Sequence, residues 1–197
     1  MVTMGKSEEK SSQVMVISML GVMAVTALGI IFVSAPANRL LGESAYALRS
    51  AFHGLAAGIF MVTSTLGLYQ AFRLWSGAPI HVRELEAGSL VNAFACFLTV
   101  VLGNWVYIPY RAAGGPKSHF LETAPEIHKI FFEFKEFAAL FTIPLAVSAA
   151  YLICRYGERL NTNKPLREMT ALLLTLVFFY FVIAFGLGAA ITKLKSV

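Results

Sequence analysis

Apolar residues in this chain come in long runs separated by short polar clusters. A helix needs roughly 20 apolar residues to cross a hydrocarbon layer of about 30 Å. Five segments meet that length: Val14 to Val33, Phe52 to Trp75, Ala87 to Tyr107, Phe137 to Cys154, and Ala171 to Thr192. The pattern predicts an all-α integral membrane bundle of five transmembrane helices. Residues 1–13 read as a polar N-terminal tail, and 14–197 as a single transmembrane domain. The first run is too long for a cleaved signal peptide and lacks a convincing small-residue cleavage site.

Two of the helices are expected to extend beyond the outer interface. Thr123-Ala124-Pro125-Glu126 has the form of a capping box with Thr123 as N-cap. A fourth helix running from there to Arg155 has about 32 residues and a length near 48 Å. Along its first turns, Ile127, Ile130, Phe131 and Phe134 form an apolar face, while His128, Lys129, Lys135 and Glu136 lie opposite. The second helix extends back through Ser44 to Ser50, which contains no breaker. Pro109 is expected to interrupt the third helix. With the loop from Arg111 to Leu121, flexible at Ala112 to Pro116, the two extensions form a cap on one side of the membrane.

Composition narrows the function classes. The chain is 57% hydrophobic and 14% charged, with a mean hydropathy of +0.69. A soluble domain carries roughly a quarter charged residues, so a soluble enzyme and a disordered segment are excluded. The net charge of +5 is spread over several loops, which excludes a nucleic-acid-binding patch. The partners implied are a lipid bilayer and other membrane subunits or a redox partner. With the N-terminus inside, Lys and Arg divide eight to eight between the two sides, so the total does not orient the bundle. The dense Arg155 to Arg167 cluster draws its loop towards the cytoplasm and places the N-terminus there, in a bacterial-type inner membrane.

All eleven acidic residues are Glu, so chemistry that needs an Asp is absent. Walker loops, nucleophile elbows, zinc-protease helices and paired-cysteine centres are absent too. Cys96 and Cys154 differ in depth and read as small apolar fillers. The Met15, Met19, Met23 stripe reads as packing, and His81 as solvated. Trp105 and Tyr107 stand where interfacial aromatic anchors belong.

The remaining chemistry gathers on the capped side. His53, at the apolar boundary of the second span, is surrounded by small residues. Gly54 and Gly58 permit either close helix packing or the approach of a flat ligand. His53 and His128, on different helices, are the candidate axial ligands of a haem b, with His119 as substitute. The alternatives are ordinary interfacial histidines or another metal. Helix rise places His128 about 10 Å further out than His53, which opposes the pairing. Asn104, Tyr107, Tyr110 and Arg111 are candidates for haem propionates or a quinone headgroup, Arg111 being the natural donor to a carboxylate. A di-iron site is disfavoured, since Glu126 and His128 project about 160° apart. Lys129 explains Glu133 and Glu136 through a solvated ion-pair network.

The leading expectation is therefore a small cytochrome b-like electron-transfer protein or subunit, not a stand-alone catalyst, exchanging electrons with a quinone or redox partner. The alternative is a non-catalytic membrane subunit or small transporter that stabilises a larger complex through its Gly54/Gly58 and Gly186/Gly188 faces. The scarcity of deep polar residues, mainly Gln70, Asn92 and Asn104, opposes an ion-coupled transporter.

Overall fold

The computed structural model describes residues 45–194, with side chains over 48–193. The regular structure among the described residues is entirely helical. In chain order it comprises α1 (Ala45–Ser76), α2 (Val82–Tyr110), α3 (Pro116–Thr123), a π-helical turn (Ile127–Phe132), α4 (Glu133–Leu160) and α5 (Lys164–Leu194). Four spans, Leu48–Ser76, Val82–Tyr110, Ile127–Leu160 and Lys164–Lys193, are long and apolar enough to cross a membrane. They match the second to fifth apolar runs, and the chain is a multi-pass membrane protein on this ground. The run Val14 to Val33, with its methionine stripe, and the tail 1–13 lie outside the described residues.

Helix α1 packs against α2 and α5, and α4 packs against the same two. The four long helices therefore form a ring of antiparallel neighbours, with α1 and α4 on one diagonal and α2 and α5 on the other. Short connections enforce this order. Gly77, at φ +73°, ends α1. Its N–H reaches the Leu74 carbonyl (3.2 Å) and that of Ala78 the Arg73 carbonyl (3.0 Å). This paired closure needs a left-handed residue, which glycine supplies at least cost. At the same end, Asn163 accepts the Leu166 N–H through its side-chain oxygen (3.1 Å) and so caps α5.

At the opposite end, Gly115 turns the chain back over the bundle. A Cβ there would stand 2.7 Å from the Pro109 carbonyl oxygen and 2.8 Å from that of Tyr110. Pro116 then opens α3, where a missing N–H costs nothing. Part of the expected Arg111 to Leu121 loop is therefore helical, and Pro109 sits inside the last turn of α2 without ending it earlier.

The expected capping box does not form. Thr123 is the last residue of α3, and its hydroxyl donates to the His119 carbonyl (2.7 Å). The chain breaks at Ala124 (φ −155°, ψ 73°) and the next helix begins directly after it. The long extensions themselves are present: α1 has 32 residues, and the span Ile127–Leu160 has 34.

The two halves of the bundle pack differently. Towards the Gly77 end, Ala71, Leu74, Leu85, Ala149, Ile153, Leu160, Ala171 and Leu174 form a dense core. The alanines let the helix backbones approach closely, which is how helices associate where lipid tails are as apolar as the side chains. Halfway up, the rings of Phe60 and Phe181 meet at 4.1 Å between centroids and close this core. Above them the bundle opens.

Candidate functional site: a cavity in the upper half of the bundle

The upper half holds a partly open cavity of about 770 Å³, lined by all four long helices, α3 and the π-helical turn. That volume lies within the range of cofactor and ligand pockets, about 300–1,000 Å³. Small side chains leave the room: Gly54 and Ala57 on α1, Gly103 on α2, Ala139 on α4, and Ala184 and Gly188 on α5. Thr99 near the floor and Tyr110 at the top are eleven residues apart on α2, a depth of about 16 Å at the helical rise.

His53 lines this cavity from α1. Its Nδ1 lies 3.0 Å from the main-chain carbonyl oxygen of Thr99. That carbonyl can only accept, so Nδ1 carries the proton and Nε2 keeps its lone pair. Gly103 makes the approach possible, since a Cβ there would stand 3.0 Å from His53 Cε1. The diagonally opposite helix, α4, contributes Lys135 and Glu136. Lys135 and His53 border the same cavity.

Aromatic rings close the top. Tyr110 stacks on Phe132 at 4.3 Å and 7°, Tyr107 stacks on the same ring at 5.4 Å, and Phe120 from α3 is buried with them. These four side chains all border the cavity.

The sequence candidates divide sharply. His53, Asn104, Tyr107 and Tyr110 border the cavity, and His128, His119 and Arg111 do not. His128 is buried behind Tyr110, its Nδ1 3.1 Å from the phenolic oxygen. Hydrogen bonds to the residue five positions back spread the Ile127–Phe132 turn wider than α-helical phasing assumes, and His128 swings onto the aromatic lid. It also stands seven residues, about 10 Å of rise, above Lys135. A bis-imidazole pair of His53 and His128 is therefore not assembled. His119 is exposed on α3 beside Phe120, and Arg111 is exposed on the Tyr107 ring at 5.2 Å.

The expected ion-pair network of Lys129 with Glu133 and Glu136 does not form; among the described residues the ion pair is Lys164–Glu168, an exposed (i, i+4) pair at 3.7 Å. No group of three His, Cys, Asp or Glu side chains there is placed to hold a metal ion. Trp105 is buried under Arg49, at 5.0 Å, instead of standing at the lipid surface. A Cβ on Gly54, Gly58 or Gly186 would meet nothing within 4 Å among the described residues, whereas one on Gly188 would meet Lys135 of α4 at 3.2 Å. Cys96 and Cys154 are free, and Cys96 is buried against the Thr142 hydroxyl at 3.1 Å.

Residue type alone does not mark Lys135, Gly103 and the Thr99 carbonyl as site groups. Soluble-protein phasing puts Lys135 on a solvated face. A signal does exist, since the opposite face is Ile130, Phe131, Phe134 and Phe137, all exposed. In lipid the apolar face turns outward and the polar one inward, the reverse of the soluble rule.

No family model, curated protein or solved structure matches the chain.

Proposed function

We propose that this protein is a small membrane electron-transfer subunit that holds a b-type haem in the upper cavity, with His53 as the axial ligand. The observation that carries the reading is the His53 imidazole, bordering a cofactor-sized cavity with Nδ1 fixed on the Thr99 carbonyl. A metal-binding histidine nearly always donates its other N–H to a carbonyl or carboxylate, which sets the tautomer and strengthens the ligating nitrogen. Gly54 and Ala57 leave space for a flat macrocycle beside the ring, and Phe60 and Phe181 give it an apolar floor. A ferrous–ferric couple supplied by haem would exchange single electrons with a quinone or protein partner at the aromatic end.

A fifth span at Val14 to Val33 and a cytoplasmic N-terminus in a bacterial-type inner membrane belong to the same reading. That arrangement puts the cavity in the outer half of the bilayer. The test is a reduced-minus-oxidised visible spectrum of the detergent-purified chain with a pyridine haemochrome assay. A sharp α-band lost in His53→Ala and kept in His119→Ala supports the assignment. A folded protein that is colourless and takes up no added haem overturns it.

A second reading, a quinone-class ligand in the same cavity, is favoured by the presence of one imidazole there together with Asn104, Tyr107 and Tyr110 as hydrogen-bonding groups. Organic extraction of the purified protein, followed by chromatography against quinone standards, separates the two.

A further inference from the structure

Resting on the haem reading above, we infer that Lys135 is the counter-cation for a carboxylate of the bound ligand, the role expected of Arg111. Lys135 projects from α4 into the cavity on the diagonal opposite His53. It makes no ion pair or hydrogen bond among the described residues; its neighbour is the Phe132 ring, 5.2 Å from Nζ. An ammonium withdrawn from water is costly unless an opposite charge meets it. Glu136, the next residue, lies about 100° around the helix and interacts with Lys135 as well as with Arg111, without forming an ion pair with either among the described residues. It offsets part of the cost and leaves the ammonium without a direct carboxylate contact there.

The end of Lys135 lies against α5. A Cβ on Gly188 would stand 3.2 Å from Lys135 Cε and 3.9 Å from Nζ, so the lysine tip occupies the space beside that glycine. A lysine that merely needed solvation would extend its long, flexible stem towards water. This one is seated among helices and faces the same cavity as His53. A flat ligand coordinated at His53 fills that volume, and an anionic edge group directed at α4 meets the ammonium. Haem b carries two such groups, its propionates. One charge-assisted contact in a water-poor site favours the acid over its ester by about tenfold or more.

The experiment titrates the full chain, purified from haem-depleted cells, with haem b and with haem b dimethyl ester, following the Soret absorbance. Wild type is expected to bind the diacid at least about tenfold more tightly than the diester. Lys135→Gln should lose that preference by weakening the diacid alone, and Lys135→Arg should keep most of it. The diacid-to-diester ratio is measured on a single protein sample, so lower expression or stability of a variant does not imitate the effect. Equal affinity of wild type for both ligands, or an undiminished preference in Lys135→Gln, overturns the role of Lys135 while leaving haem binding intact. Wild type that binds neither ligand overturns the haem reading itself, and this inference with it.

Discussion

Gly103→Ala isolates the positioning of His53 from its identity. The new Cβ would stand 3.0 Å from His53 Cε1 and 3.4 Å from Nδ1. Ordinary carbon contacts begin near 3.4 Å, so the ring must retreat by about 0.4 Å. Gly103 and the Thr99 carbonyl belong to one helix, one turn apart, so retreat from the methyl is also retreat from the carbonyl. The 3.0 Å hydrogen bond then stretches towards about 3.4 Å, where it contributes little. The cavity gives the ring somewhere to go, so the apo protein should lose less than about 1 kcal/mol, against about 1–3 for overpacking in a filled core. Loss of an orienting partner typically weakens a metal ligand about 10- to 100-fold. Gly103→Ala should therefore bind haem about tenfold more weakly with a nearly unchanged melting temperature, as read by Soret titration and by a thermal melt in the same detergent. Wild-type haem affinity in this variant would refute the idea that the α2 carbonyl holds the imidazole for ligation. A large fall in melting temperature without haem would show that the site is filled and not open.

Three further variants probe the frame. Gly77→Ala forces a Cβ onto a residue at φ +73° and should cost about 1–2 kcal/mol, read as a lower melting temperature with haem affinity unchanged. Gly157→Ala puts a methyl 2.4 Å from Val82 Cγ1 and should destabilise by about 1–3 kcal/mol. Adding Val82→Ala should recover part of that loss, and additive single effects in the double-mutant cycle would show that the two residues do not meet. Ile153→Ala, in the dense lower core, should cost about 2 kcal/mol, near the low end for such truncations, because in lipid the released surface stays in an apolar medium. At low temperature this variant should still bind haem as wild type does.

The helical spans were legible because a small soluble domain has no interior large enough to hide several apolar runs of bilayer length. The ends of those spans were less so. Thr123 and Glu126 have the spacing of a capping box, but Ala124 breaks the chain between them, and the threonine satisfies its own helix instead. The site was half legible. His53 announced itself as a titratable group among small residues in an apolar segment. His128 looked equivalent, and only the π-helical turn, which changes its phase, decides that it faces Tyr110. Lys135 was hidden by a sign error: amphipathic phasing locates a polar face but does not say whether water or a bundle interior receives it.

Several deep polar groups of the bundle are satisfied close to home. Thr99 and Thr170 donate to carbonyls one turn back on their own helices, at 2.7 Å and 2.8 Å. Ser64 and Ser89 do the same three residues back. Asn92 accepts the Thr63 hydroxyl at 3.1 Å, and the Cys96 thiol meets Thr142. Local satisfaction of this kind is what a membrane interior demands of groups that serve only the fold. His53 is tied at one nitrogen, and Lys135 has the Phe132 ring and the neighbouring Glu136 charge but no ion pair or hydrogen bond among the described residues. These two border the same 770 Å³ from opposite corners of the bundle. Charge buried in a membrane interior is opposed by several kcal/mol per group, and Glu136, which borders the same cavity, offsets only part of that cost for Lys135 because the two form no ion pair. On the haem reading, a ligand that brings both a Lewis-acid centre and a carboxylate would satisfy the two groups together, which a lipid tail would not.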